Sequence, residues 1–197
     1  MGRLEKALKA RFPGENSSSL AEILLEASLK GVVSYEDLEG LEDLEDLMLL
    51  AHRQRLLIPL RISAVLRSLS WDSRILLLKP GETYEMPPVV RFLVREAEKT
   101  GKWLPLKALL QCLLELGEEK PLTIVKATRM IMMRAARRNL KIRAEEVERI
   151  ASKLGLNAGS LIAKLKGAGV LSPCSRGFLS RGILYEVNPS LYRKPRL

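Results

Sequence analysis

Five cations fall within the stretch TIVKATRMIMMRAARRN, residues 123–139. At 100° per residue, Lys126, Arg129, Met130, Met133, Arg134 and Arg137 share one side of a helix, with Arg138 at its margin. Ile124, Val125, Thr128, Ile131, Met132 and Ala135 take the other side. Ammonium and guanidinium groups in such a stripe hold phosphate or carboxylate oxygens through charge-assisted hydrogen bonds. A charged stripe is ordinarily a solvated face, and its methionines pack as readily on another helix. Yet no acid lies four residues from these cations to balance them. A nucleic acid, an acidic partner and a solvated face all fit the pattern. A second basic feature lies downstream, where Arg176-Gly177 and Arg181-Gly182 flank one chain reversal. A plain hairpin needs one tight turn. Here the reversal carries four further residues and two extra charges.

Few side chains are available for catalysis or metal binding. Two cysteines, Cys112 and Cys174, cannot make a disulfide framework or a four-ligand zinc site. Cys112, in KALLQCLLELG, reads as core filling. His52 is the only histidine and stands on a Leu-rich helix, where a structural role is expected. With no second histidine and no Cys-x-x-Cys there is no metal site and no Cys–His pair. NSSSL reads as a helix N-cap, and KPGETYEMPP has the wrong order and spacing for a P-loop. No acid, base and nucleophile can be named together, so no enzyme, cofactor or metal is expected.

The charge is divided along the chain. Net charge is +10, but residues 1–88 hold 11 Lys and Arg against 14 Asp and Glu, a net −3. Residues 89–197 hold 22 against 9, a net +13. Such asymmetry is the footprint of one region facing a polyanion while the other does something else. No apolar run reaches the roughly 20 residues that span a bilayer. MGRLEKALKARFPGE has no signal-peptide core, and Gly2 lacks a myristoylation context. A cytoplasmic protein with no membrane contact is the expectation.

The elements that must position these residues follow from periodicity. The N-terminal half is expected to open with a helix over Ser19–Lys30, capped by the serines and ended by Gly31. A VVS strand, a small helix from Tyr35 and a longer one in LEDLEDLMLLAHRQRLL follow. LLIPLRI reads as extended, with Pro59 at a sheet edge; a helix around Ser63–Leu69 and a strand in RILLLK complete the half. The glycine and three prolines of KPGETYEMPP mark residues 81–88 as a linker between a domain at 1–80 and one at 89–197 that folds alone. The second domain is expected to hold helices over Val89–Lys99, Pro105–Gly117 and the cationic stretch, with Trp103 packed inside. A strand at Lys141–Arg143, a helix over Ala144–Leu154, and a helix capped by Asn157 and ended by Gly169 complete it. The fold class is mainly α with small β-hairpins, α+β.

LGLN at the turn, LIAKLKGAGVL at the second helix and RGFLSRGILYEVNP at the reversal together resemble a winged helix-turn-helix domain, over about residues 121–192. One departure is that Gly167 and Gly169 stop the second helix early. The resemblance implies a wing with its tip at Ser175–Gly182, where Arg176 and Arg181 reach phosphates or the minor groove. Phe178 either stacks there or folds back on the sheet. Asn157, Ser160, Lys164 and Lys166 are then contacts of the recognition helix, and small Ala158 and Gly159 admit phosphate to its N-terminus. The N-terminal half weakly echoes the same order, giving tandem winged-helix-like domains. Its equivalent helix begins EDLEDL, which repels phosphate, so residues 1–80 are expected to meet protein, another copy of this chain included. The leading expectation is a non-enzymatic, double-stranded-DNA-binding protein that regulates transcription or associates with the chromosome. The alternatives are a docking subunit of a replication, transcription or chromosome-organisation complex, and an RNA-binding protein, although aromatic residues are only 5% of the chain.

Overall fold

The computed structural model describes residues 1–60, 70–175 and 182–192. Helix α1 (Arg3–Arg11) buries Leu4, Ala7 and Leu8 at i, i+3 and i+4, a stripe too narrow to mark it in the sequence. The cap of α2 (Ser17–Lys30) is not a serine: Asn16 Oδ1 accepts from Ser19 N at 3.2 Å. Gly31, at φ +84°, closes that helix as expected. Strand β1 (Val32–Ser34), a run of turns over 36–40, α3 (Leu44–Arg53) and β2 (Ile58–Pro59) follow.

The next strand corrects the sequence reading twice. RILLLK forms no strand, and the expected linker 81–88 instead contains β3 (Thr83–Glu85), which lies between β1 and β2. Burial decides between the two segments. Tyr84 is completely buried, whereas Ile75 is 60% exposed and Leu76 and Leu78 only flank the core. Pro59 does sit on an edge strand, where its missing N–H costs no ladder bond. The expected helix at Ser63–Leu69 lies outside the described residues.

Beyond β3 come α4 (Pro88–Thr100), α5 (Pro105–Glu115), α6 (Pro121–Ala135), β4 (Lys141–Arg143), α7 (Ala144–Lys153), α8 (Ala158–Gly167), β5 (Leu171–Pro173) and β6 (Leu184–Val187). The protein is α+β, mainly helical, with two three-stranded antiparallel sheets. Both sheets are reached by the same path of helix, strand, turn or helix, helix, strand, strand. Both place the last strand in the centre, in the orders β1-β3-β2 and β4-β6-β5. Even the register repeats. Val33, Tyr84 and Pro59 form one row across the first sheet, and Ile142, Tyr185 and Pro173 form the same row across the second.

One core runs through both halves. Helix α4 packs on α1, α2 and α5, so the segment expected to begin an independent domain is covered by the N-terminal half. Val89 N donates to Ala168 O at 2.9 Å. Gly169, at φ +76°, comes so close to Pro87 that a Cβ there would stand 2.5 Å from the proline Cβ. Polar contacts add a second seam. Arg55, itself at φ +53°, gives Nε and Nη2 to the Glu186 carboxylate at 3.1 and 3.3 Å. Asn188 Nδ2 donates to Arg55 O at 3.2 Å and Gly169 O at 3.1 Å. Arg55 Nη1 also lies 3.3 Å from His52 Nε2; an arginine only donates, so that nitrogen accepts and the ring is neutral. Burial first, then the Arg55 charge, pushes His52 down to about 4. Trp103 is buried as expected, its Nε1 donating to Ser190 O at 2.9 Å. No helix among the described residues is long and apolar enough to cross a membrane.

Candidate nucleic-acid interface

Packing assigns the two faces of α6 much as its periodicity requires. Ile124, Ala127, Thr128, Ile131, Met132 and Ala135 are buried, and Lys126, Arg129, Met133, Arg134 and Arg137 lie on the open side. The chain then tightens into a 3-10 turn at Ala136–Arg138, which carries Arg138. Arg134, Arg137 and Arg138 meet Met130 and Met133 around a hollow of about 460 Å³.

The hollow is not purely cationic. Glu146, in the first turn of α7, takes Arg138 Nη1 at 2.7 Å and stands 3.5 Å from Arg134 Nη1. The same carboxylate accepts from Arg143 N, at 3.4 Å, and so helps to cap α7. The missing i±4 acid is therefore supplied from a neighbouring helix, which spacing within α6 cannot reveal. Lys126, Arg129 and Arg137 have no salt bridge among the described residues.

Helix α8 forms a separate group. Asn157 Oδ1 accepts from Ser160 N at 2.9 Å, so the side-chain oxygen caps the helix, and the residue is exposed. Ser160 and Gly159 are exposed beside it. Lys164 is paired with Glu118, from the α5–α6 connection. Lys166 is exposed, near the other end of the helix and without a salt bridge among the described residues. A hollow of about 180 Å³ joins Asn157, Ser160 and Lys164 to Glu119 and Lys120. The two groups stand at opposite ends of α7, a ten-residue helix roughly 15 Å long. Arg134, Arg137 and Lys164 thus do not share one uninterrupted cationic patch.

Arg176, Phe178 and Arg181 lie outside the described residues. The residues on either side of 176–181 are described, and both are held. Ser175 N donates to both Asp72 carboxylate oxygens, at 3.1 and 3.2 Å. Ser70 Oγ lies 2.7 Å from both Pro173 O and Asp72 Oδ1, between which its one proton is shared, and Trp71 N donates to Ser172 Oγ at 3.0 Å. The hydrogen bonds from Ser70 and Ser175 hold the Asp72 carboxyl below its ordinary range, against the opposing effect of burial. At the other end Gly182 takes φ +83°, and a Cβ there would overlap the Glu145 carboxylate. Asp72, Glu118 and Glu146 are the residues that sequence reasoning missed. Only Glu146 left a signal, three residues after the N-cap Arg143. The thiols of Cys112 and Cys174 are both buried and pushed up to about 11, Cys174 by burial and then by Asp72, so neither is a nucleophile at neutral pH.

No curated protein and no solved structure matches this chain. A protein-family model matches residues 2–194, taking in both sheets and helices α1 to α8, and the chain belongs to that family.

Proposed function

We propose that this is a non-enzymatic, double-stranded-DNA-binding protein of two winged-helix units, the second of which faces the duplex. The observation that supports it best is the contrast between equivalent helices in the repeated topology. Helix α3 opens on exposed Asp43, Glu45 and Asp46, which repel phosphate. Its counterpart α8 opens on Asn157, Ala158, Gly159 and Ser160, with no acid in its own first turn and with Gly159 and Ser160 exposed, beside a hollow that Glu119 and Lys120 share. Lys126, Arg129 and Arg137 beyond the other end of α7 and Lys166 further along α8 add exposed charge, and Arg176 and Arg181 follow in the sequence. A role in transcription or on the chromosome would follow from that binding.

Titration against duplex DNA, single strands and RNA at two salt concentrations tests the reading. Duplex is expected to bind most tightly, with log affinity falling as log salt rises. Replacing Arg176 and Arg181 together by Ala should flatten that line by up to about two units, at roughly 0.9 for each phosphate no longer neutralised. No duplex binding at low salt, or tighter binding to RNA, would overturn the proposal.

A second reading, a protein-docking subunit, draws on the two carboxylates that meet the cations. Glu146 and Glu118 occupy Arg134, Arg138 and Lys164. An unchanged salt slope in the double variant would favour it.

A further inference from the structure

We propose that a groove on the N-terminal half takes the basic face of α6 from a second copy of this chain. The groove, about 450 Å³, lies along α2 and is closed by the turns at 36–40. Leu25, Leu38 and Leu41 line it, and Leu29 stands at its rim, 70% exposed. Four carboxylates surround this apolar floor. Glu5 and Asp37 are tied to local donors at Gly2 and Ser34, and Glu26 holds Lys30 at 2.7 Å. Glu22 is exposed and has no salt bridge among the described residues. A leucine floor within an acidic rim fits an apolar ridge that carries cations.

Helix α6 carries such a ridge. Leu122, Lys126, Arg129 and Met133 fall within about 60° of one another at helical spacing, and Arg137 follows in the 3-10 turn at Ala136–Arg138. Leu122 is 69% exposed and Met133 63%, high values for large apolar side chains. The three cations between and beyond them lack carboxylate partners among the described residues. Groove and ridge are both open to solvent in the same molecule, so they meet only between copies. The contact is heterologous, groove to ridge, and leaves a free groove at one end and a free ridge at the other. It does not rest on the DNA reading, although DNA on α6 would compete with it.

Sedimentation of the full chain, without DNA, tests this. At low salt the mass should rise above the monomer with concentration, and high salt should dissociate it. Glu22→Lys and Arg129→Glu should each weaken association about tenfold or more. Their equimolar mixture should regain it, because the intact ridge of the first variant meets the intact groove of the second. Both positions are exposed, so circular dichroism and unfolding should match the parent. A parent that stays monomeric at low salt would overturn the proposal, as would association untouched by either variant or a mixture that regains nothing. Titrated with duplex at chain concentrations too low for the parent to associate, Glu22→Lys should match the parent's affinity, so failure of the docking and failure of DNA binding are read separately.

Discussion

Gly169 is the residue on which the two halves close. An alanine there meets a left-handed backbone, which costs roughly 1–2 kcal/mol, and overlap with the Pro87 ring, which costs about 1–3 kcal/mol more. Urea unfolding of Gly169→Ala should therefore show a loss in that combined range. Glu146 makes the opposite experiment possible. Glu146→Gln keeps a capping side chain for α7 but releases Arg134 and Arg138 from their carboxylate. Duplex affinity should rise several-fold and the salt slope should steepen, if these arginines meet phosphate. His52 gives a prediction with a sign. Its folded pKa lies at about 4 against an ordinary 6.5, so the unfolded ring takes up a proton over a window in which the folded ring does not. Stability should fall as pH drops from about 6.5 and level off below about 4. The amount should be about 1–2 kcal/mol, less than the full shift because the ring is only half-buried. A pH series of urea curves for the parent and His52→Gln isolates that component; parallel losses in both would remove it.

Among the elements, α8 carries its own check. Asn157→Ala removes the cap and should cost about 1 kcal/mol, whereas Asn157→Asp keeps an acceptor and should hold the stability. If the side chain read bases, Asn157→Asp would instead retain stability and change the preferred duplex. How much of these elements was legible follows from the same physics. Helices α4 to α8 announced themselves, because each carries a 3.6-residue apolar period with a Pro, Asn or Gly marking an end. Strand β3 did not. Three residues wide and set between Gly81 and two prolines, Thr83–Glu85 is a strand only because β1 and β2 lie on either side of it. RILLLK had the better β composition and no partner. The repeat was hidden for a related reason. Register makes Tyr84 and Tyr185 equivalent, but at the centre of the two sheets little more than Tyr-Glu is shared in sequence. In the candidate site, charge and helix faces were legible, and the carboxylates that answer them from other helices were not.

At the scale of the whole molecule, a shared core should make the halves unfold together. Trp71 and Trp103 are buried, one in each half, and provide two local probes. The single-tryptophan variants Trp71→Phe and Trp103→Phe should give coincident fluorescence transitions in urea. Separate midpoints would show the halves to be independently stable, the behaviour of two domains joined by a true linker. Cutting the chain before α4 should expose Val90, Leu93, Val94 and Ala97, now completely buried. Such a fragment should be destabilised by several kcal/mol and prone to aggregate, since each buried aliphatic side chain contributes about 1.5–3 kcal/mol.

The central position of β6 also sets a schedule for synthesis. Strands β4 and β5 are made before Leu184–Val187, yet neither has a neighbour until that segment arrives between them. Residues just beyond it then fasten elements made much earlier. Ser190 N reaches Gln54 O, Ser190 O receives the Trp103 indole, and Arg11 Nη2 reaches Tyr192 O across 181 positions. On the ribosome the N-terminal sheet can pair as soon as β3 emerges, whereas the second sheet and the seam both wait for residues 184–192. A nascent chain stalled before β6 leaves the exit tunnel should therefore hold β4 and β5 without their common neighbour and Arg55 without Glu186.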